Sequence, residues 1–232
     1  MIDTIKKVID FVLHIDAHLI EIVNNYGSAT YLILFLVVFC ETGLIITPFL
    51  PGDSLFFAAG AICASSNLNI WVTVIVCLAG AIIGNTVNYS IGKRLGPALF
   101  KKESRFFKKE YLEKTHAFYE KHGVKAVILS RFLPIFRTFV PFVAGIAGMN
   151  AATHFLYNVI GAILWVFIFV FAGFFFGQIQ VVQDNFSIVM IAILIITALP
   201  AIYALIRQRF FPSKFGNSPF SMFFPSIVYI KR

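Results

Sequence analysis

Charge is what this chain lacks. Of its 232 residues only 13% are Asp, Glu, Lys or Arg, while 59% are hydrophobic. An ordinary soluble domain carries roughly 25% charged residues. The mean hydropathy is +0.86. Where the charges are missing matters more than how few there are: none occurs in 22–40, 54–92, 138–183 or 185–206. A membrane helix needs about 20 apolar residues, so each stretch can reach across a bilayer, and the chain reads as an integral membrane protein. At about 1.5 Å per residue, 54–92 is too long for one crossing. Ser65-Ser66-Asn67-Leu68-Asn69 is the place for it to break.

Other absences narrow the function. There are three cysteines, Cys40, Cys63 and Cys77, each inside an apolar segment, which fits small buried side chains better than a disulfide framework. The five histidines, His14, His18, His116, His122 and His154, are scattered. No nucleophile–base pair, zinc-ligand cluster or phosphate-cradling P-loop can be found. The chain is therefore not expected to be an enzyme or to need a metal or cofactor. Asp3, Asp10 and Asp16 interrupt the first 20 residues, so no cleavable signal peptide is expected. The net charge of +8 does not point to nucleic acid, because it follows from loop asymmetry, most of all from one basic loop.

That loop orients the chain. Ten of the 19 Lys and Arg residues fall between Lys93 and Lys125, and the positive-inside rule puts this segment in the cytoplasm. Aromatic residues mixed into it, such as Phe106, Phe107 and Tyr111, suit a helix lying on the anionic leaflet; a solvated loop is the alternative. Residues 1–30 hold a second amphipathic stretch, with Ile5, Val8, Ile9, Val12, Ile15 and Leu19 at helical spacing.

The rest falls into a membrane domain over 31–209. Residues 31–64 form an apolar helix, a break at Pro48, Pro51 and Gly52, and a second short helix. Helix, break and helix suit a re-entrant hairpin, and broken backbone at that depth must be buried in protein or line a cavity; two tilted spans are the alternative. Full spans are expected at 70–92, 155–177 and 187–206, and a second hairpin, broken by Pro134 and Pro141, at 124–148. The tail 210–232 has no assigned role. Asn69, Gly80, Gly92 and Gly96 match Asn150, Gly161, Gly173 and Gly177 at an offset of 81. The expected fold is thus all-α: an inverted repeat of re-entrant hairpin plus antiparallel span, with one extra C-terminal span and amphipathic interfacial helices. Many secondary transporters use that design.

Four ionisable residues sit at bilayer depth: Glu41, Asp53, Arg131 and Arg137. A charge there costs several kcal/mol, so it pairs or works. One hairpin supplies two acids and the other two bases. If the hairpin tips meet, the acids neutralise the arginines. On one continuous helix Arg131 and Arg137 would point about 240° apart, but Pro134 interrupts it, so both guanidiniums can converge on a phosphate. Glu41 and Asp53 are candidates for proton coupling, since burial and a nearby arginine pull their ionisation in opposite directions. A purely structural set of salt bridges is the competing reading. Asn85 and Asn88 either line the cavity or bond to a neighbouring helix. His154, Asn158 and Trp165, taken alone, read as interfacial or packing residues.

At these residues the chain resembles a known family. The run from Glu41 through Pro51-Gly52-Asp53 looks like the first signature of the DedA family, also called the VTT or SNARE-associated domain. Arg131-Phe-Leu-Pro134-Ile-Phe-Arg137-Thr-Phe-Val-Pro141 resembles the second, and Phe155-Leu-Tyr-Asn158-Val-Ile-Gly161-Ala-Ile-Leu-Trp165 the third. His14-Ile-Asp-Ala-His18 and Tyr119-Glu-Lys-His-Gly123 fit as well, and the match runs from about Ile5 to Arg209. The resemblance implies a multi-pass protein of the bacterial inner membrane with two facing re-entrant hairpins. It implies translocation of a phosphate-bearing lipid, undecaprenyl phosphate or a phospholipid such as phosphatidylethanolamine, coupled to the proton motive force and supporting envelope integrity and division. Arg131, Arg137 and Asn158 then form the substrate-binding set, with Glu41 and Asp53 coupling protons. Asn85 stands where relatives often carry an acid. A small-cation/proton antiporter and a non-transporting scaffold are the other functions considered, and a homo-oligomer is compatible with all three.

Overall fold

The computed structural model describes residues 27–44, 52–101, 127–128, 130–131 and 134–210. The expected N-terminal amphipathic helix, Pro48 and Pro51, residues 102–123 of the basic segment and the tail beyond residue 210 lie outside them. Among the described residues every regular element is helical.

After a short 3-10 turn at Gly27–Ala29, α1 runs over Thr30–Gly43 and α2 over Gly52–Ser65. Every residue of α2 from Gly52 to Cys63 is buried, as expected of a helix that is apolar on all sides and enclosed by other helices. The bend at 66–69 ends on Asn69, whose side-chain oxygen accepts from the amides of Trp71 and Val72 at 2.9 and 3.4 Å. That cap starts α3, Ile70–Lys101, which runs nine residues beyond the expected end at residue 92. The chain is next described at 127–128 and 130–131, where Arg131 N–H donates to Ile128 C=O, and then in α4, Pro134–Ile146.

Pro134 opens α4 at the first helical position, where its missing N–H costs nothing. Pro141 is a correction to the sequence reading, because it lies inside α4 and does not end it. A proline removes one intrahelical hydrogen bond, but α4 is packed along α3, and that burial holds the helix through the defect. The end comes instead at Gly148, whose φ of +72° only glycine adopts at no steric cost. Met149 N–H reaches Ala144 C=O and Gly148 N–H reaches Gly145 C=O, both at 3.1 Å, the Schellman pattern of a helix C-terminus. Asn150 then caps α5, Ala151–Phe176, through the amides of Ala152 and Thr153. The Asn69 and Asn150 caps are the same device repeated at the offset of 81. A short helix α6, Gln180–Asp184, leads into α7, Phe186–Phe210.

The packing crosses over between the two halves. α2 lies along α5, and α4 lies along α3. A methyl built on Gly60 would strike Val170 C=O, and one on Gly173 would strike Phe57 C=O. In the other half, a methyl on Gly145 would strike Tyr89 C=O, and one on Gly92 would strike Phe142 C=O. Tyr89 and Gly92 lie 81 positions before Val170 and Gly173, so one backbone-to-backbone contact is built twice. α1 closes against α3 in the same manner, with Gly80 and Gly84 facing Phe35, Val38, Phe39 and Thr42. Small residues that let helix backbones touch are the usual means of association in a membrane.

Two of the described helices, Ile70–Leu95 and Ala151–Phe176, are long and apolar enough to cross a bilayer. The surface is reversed relative to a water-soluble protein. Leu156, Ile163, Leu164 and Ile168 of α5 and Ile188, Ile195 and Ile196 of α7 point outward, while Thr73, Asn85, Asn88, Arg131 and Asn158 are buried. A soluble fold rarely exposes so large an apolar patch.

The duplicated contact makes a paired prediction. Gly60→Ala and Gly145→Ala should each destabilise the protein by about 1–3 kcal/mol through overpacking, read as a lower unfolding midpoint in detergent. A variant that melts like the parent would show that the helices do not touch there.

Candidate functional site

The site begins where α1 ends. Glu41 lies in the last turn of α1, and its Oε1 accepts the N–H of Gly52, the first residue of α2, at 2.8 Å. A helix N-terminus has amides without intrahelical partners, and here a carboxylate from the preceding helix takes one of them. A methyl at position 52 would overlap the Glu41 carboxylate and force it aside, so glycine there keeps the acid on the helix end. Asp53 follows in the first turn of α2, where the helix dipole favours negative charge. Two acids thus stand together at one helix end.

Arg137, in the first turn of α4, bridges them. One guanidinium nitrogen donates to Glu41 Oε1 and the other to Asp53 Oδ1 at 3.3 Å. Asp53 Oδ1 also accepts the indole N–H of Trp165 at 2.7 Å. The ends of α1, α2 and α4 therefore meet, through one arginine holding both acids.

Arg131 is placed differently. It donates to Asn158 Oδ1 and, at 3.5 Å, to Ala81 C=O. Asn158 is fixed in turn, since its Nδ2 donates to Ile82 C=O at 3.0 Å and to Thr86 Oγ1 at 3.2 Å, and its Oδ1 accepts from Asn85 at 3.2 Å. No carboxylate among the described residues pairs with Arg131. Both guanidiniums nonetheless reach the Trp165 ring: their central carbons lie 5.7 Å (Arg131) and 5.2 Å (Arg137) from its centre, within cation–π range. Glu41, Asp53, Arg131 and Arg137 are 0%, 4%, 2% and 3% exposed, so all four charges are held away from solvent.

Glu41, Asp53, Arg131, Arg137 and Asn158 thus lie in one connected polar group, while Pro141 lies away from it inside α4. Asn85 bonds across to α5, and Asn88 donates to Thr42 C=O at 3.2 Å and Thr138 C=O at 2.9 Å, tying α1 to α4. Trp165 is what sequence reasoning passed over as packing. The signal was present: an indole N–H in the middle of an apolar span has no acceptor of its own and must find one when buried. His154, also read as interfacial or packing, is buried and stacks on Tyr89 with ring centres 4.2 Å apart.

Removing one partner of a buried ion pair leaves the other charged and unpaired, which costs about 3–5 kcal/mol. Arg137→Ala strands two carboxylates and should be the most destabilising of the single site substitutions. Adding Glu41→Gln and Asp53→Asn to it should recover much of the loss, measured by unfolding in detergent. Failure of the triple variant to recover would show that the carboxylates do not drive the effect.

The arrangement has relatives. The VTT domain model matches residues 50–175. The protein DedA of Escherichia coli (strain K12) is 51% identical over 210 residues, 89% of this chain and 96% of that protein. An uncharacterized membrane protein of Mycobacterium leprae is 41% identical, covering 77% of this chain and 81% of its own length. The inner membrane protein YqjA of Escherichia coli is 28% identical, covering 81% and 86%. No solved structure matches the chain. The reversed surface, the charged cluster and these relatives agree, and the chain belongs to the VTT-domain, or DedA, family of membrane proteins.

Proposed function

We propose that this protein is a carrier, not an enzyme, that moves a lipid with a phosphate headgroup across the bacterial inner membrane at the expense of the proton motive force. In this reading 31–64 and 124–148 are re-entrant hairpins of opposite sense, and the chain crosses the membrane several times. The crossed packing of α2 on α5 and of α4 on α3 is what two inverted repeats facing each other would produce.

The observation that carries the reading is Arg131, a buried guanidinium held by amide and carbonyl oxygens and by no carboxylate among the described residues. Neutral acceptors offset only part of the cost of burying a cation. A phosphate would complete it, and the planar guanidinium grips two phosphate oxygens at once. Its neighbours account for the proton. Two ionised acids and two arginines sum to no net charge, so an entering phosphate leaves the cluster negative. A proton on a carboxylate restores neutrality. Glu41 Oε2, buried with no partner, can take that proton without breaking an existing bond. Anion and proton then travel together. A cation antiporter would need its acids open to the cation, whereas Arg137 occupies both.

In proteoliposomes carrying fluorescent phosphatidylethanolamine, Arg131→Ala should abolish lipid translocation while the protein still inserts and melts cooperatively. Arg131→Lys should not restore it, because a lysine lacks the planar fork. Full transport by Arg131→Ala would overturn the reading, whereas no transport by the parent protein itself would leave the scaffold function standing. Imposing a proton gradient should accelerate the parent protein, a protonophore should remove the gain, and Glu41→Gln should make transport indifferent to both. An unchanged gradient response in Glu41→Gln would remove that residue from the coupling step.

A further inference from the structure

One buried ionisable group next to the site has no role in the mechanism above. His154 lies in the first turn of α5, 1% exposed, and its Nε2 is buried without a hydrogen-bond partner. Its ring is held firmly. It stacks on Tyr89 with ring centres 4.2 Å apart and planes inclined by 17°. Tyr89 is itself pinned, because its hydroxyl donates to Met149 C=O and its backbone is pressed by Gly145. A core histidine that served only for packing would have its nitrogens satisfied, since leaving one bare costs about 1–3 kcal/mol.

Nor is the bare nitrogen isolated. His154 precedes Asn158 by four residues on α5, and side chains four apart share one face of a helix. Asn158 holds Arg131 and accepts from Asn85. Arg131 Nε and Asn85 Oδ1 are likewise buried without partners. Three unsatisfied polar atoms, one cationic, therefore belong to residues grouped around a single asparagine. Native proteins fill such gatherings with a ligand or ordered water.

Resting on the phosphate-lipid reading, we infer that His154 is a further headgroup-binding residue, its Nε2 completing with Arg131 the grip on the phosphate while Tyr89 holds the imidazole in place. The chemistry recognised is a phosphate anion, which Arg131 binds by charge and His154 by a directed hydrogen bond. Asn85 Oδ1 offers an acceptor to a hydroxyl or amine on the same headgroup.

Two substitutions separate this role from packing. His154→Phe keeps an aromatic ring on Tyr89 and removes the nitrogen. His154→Gln loses the ring but returns an amide nitrogen near the position of Nε2. Transport of fluorescent phosphatidylethanolamine is measured against lipid concentration, with the unfolding midpoint recorded for each variant. The expected result is that His154→Phe melts like the parent but raises the half-saturating lipid concentration about tenfold, while His154→Gln stays within about threefold. A normal His154→Phe beside an impaired His154→Gln would make the residue packing only and overturn the inference. Normal transport by both would mean that Nε2 binds only water, and equal impairment would mean that the nitrogen is not what matters; either overturns it too. Competition by inorganic phosphate, weakened in His154→Phe, would support the same contact with a free anion as its source. If Arg131→Ala abolishes transport while His154→Phe does not change it, only the present inference fails. If Arg131→Ala transports normally, the phosphate-lipid reading fails first.

Discussion

The structure turns on one arginine shared by two carboxylates. Arg137 reaches from the start of α4 to Glu41 at the end of α1 and Asp53 at the start of α2, joining three helix ends in a region from which solvent is excluded. Burying either acid or the arginine without an opposite charge beside it would cost several kcal/mol. The Gly52 amide and the Trp165 indole N–H supply the remaining hydrogen bonds. Each is needed for a different reason: Gly52 because a side chain would displace the carboxylate, and Trp165 because it brings a donor and an aromatic face on one side chain.

Around that point the helices touch at the backbone. The paired contacts of Gly60 and Gly173 on one side and Gly92 and Gly145 on the other set α2 against α5 and α4 against α3. With no hydrophobic drive between helices in lipid, close packing has to supply the attraction. The same contacts decide which polar groups face each other. Charge neutralisation and glycine packing are therefore coupled: the helix ends meet because the helices lie close, and the close arrangement holds the charges where they can pair.

The two halves repeat in backbone and differ in charge. Arg137 has both acids, and Arg131 has Asn158 and a carbonyl. In the proposed reading, a cluster with one carboxylate-paired and one amide-held arginine accepts an anion at the second, and the carboxylates nearby give a proton somewhere to go. His154 and Asn85 extend the same polar group along α5 and α3. The transport reading grows from this inequality between the two arginines.

Much of this could be read along the chain. Charge-free runs longer than a bilayer crossing specify membrane helices because water cannot solvate them. Asn69 and Asn150 mark helix starts because their side chains bond to amides two and three residues on. The expense of burying charge singled out Glu41, Asp53, Arg131 and Arg137 as the residues to watch. Tertiary structure alone decided how they are matched. Arg137 meets partners 84 and 96 positions away, and local patterning carries no information on which of two arginines will face them. Pro141 reads as a break along the chain, yet packing on α3 carries the helix through it. Trp165 and His154 look like ordinary apolar-span residues until the fold sets one against Asp53 and buries the other beside Tyr89. Local sequence governs hydrogen bonds a turn or two away; distant pairings depend on helix faces whose relative placement exists only once the backbones have packed.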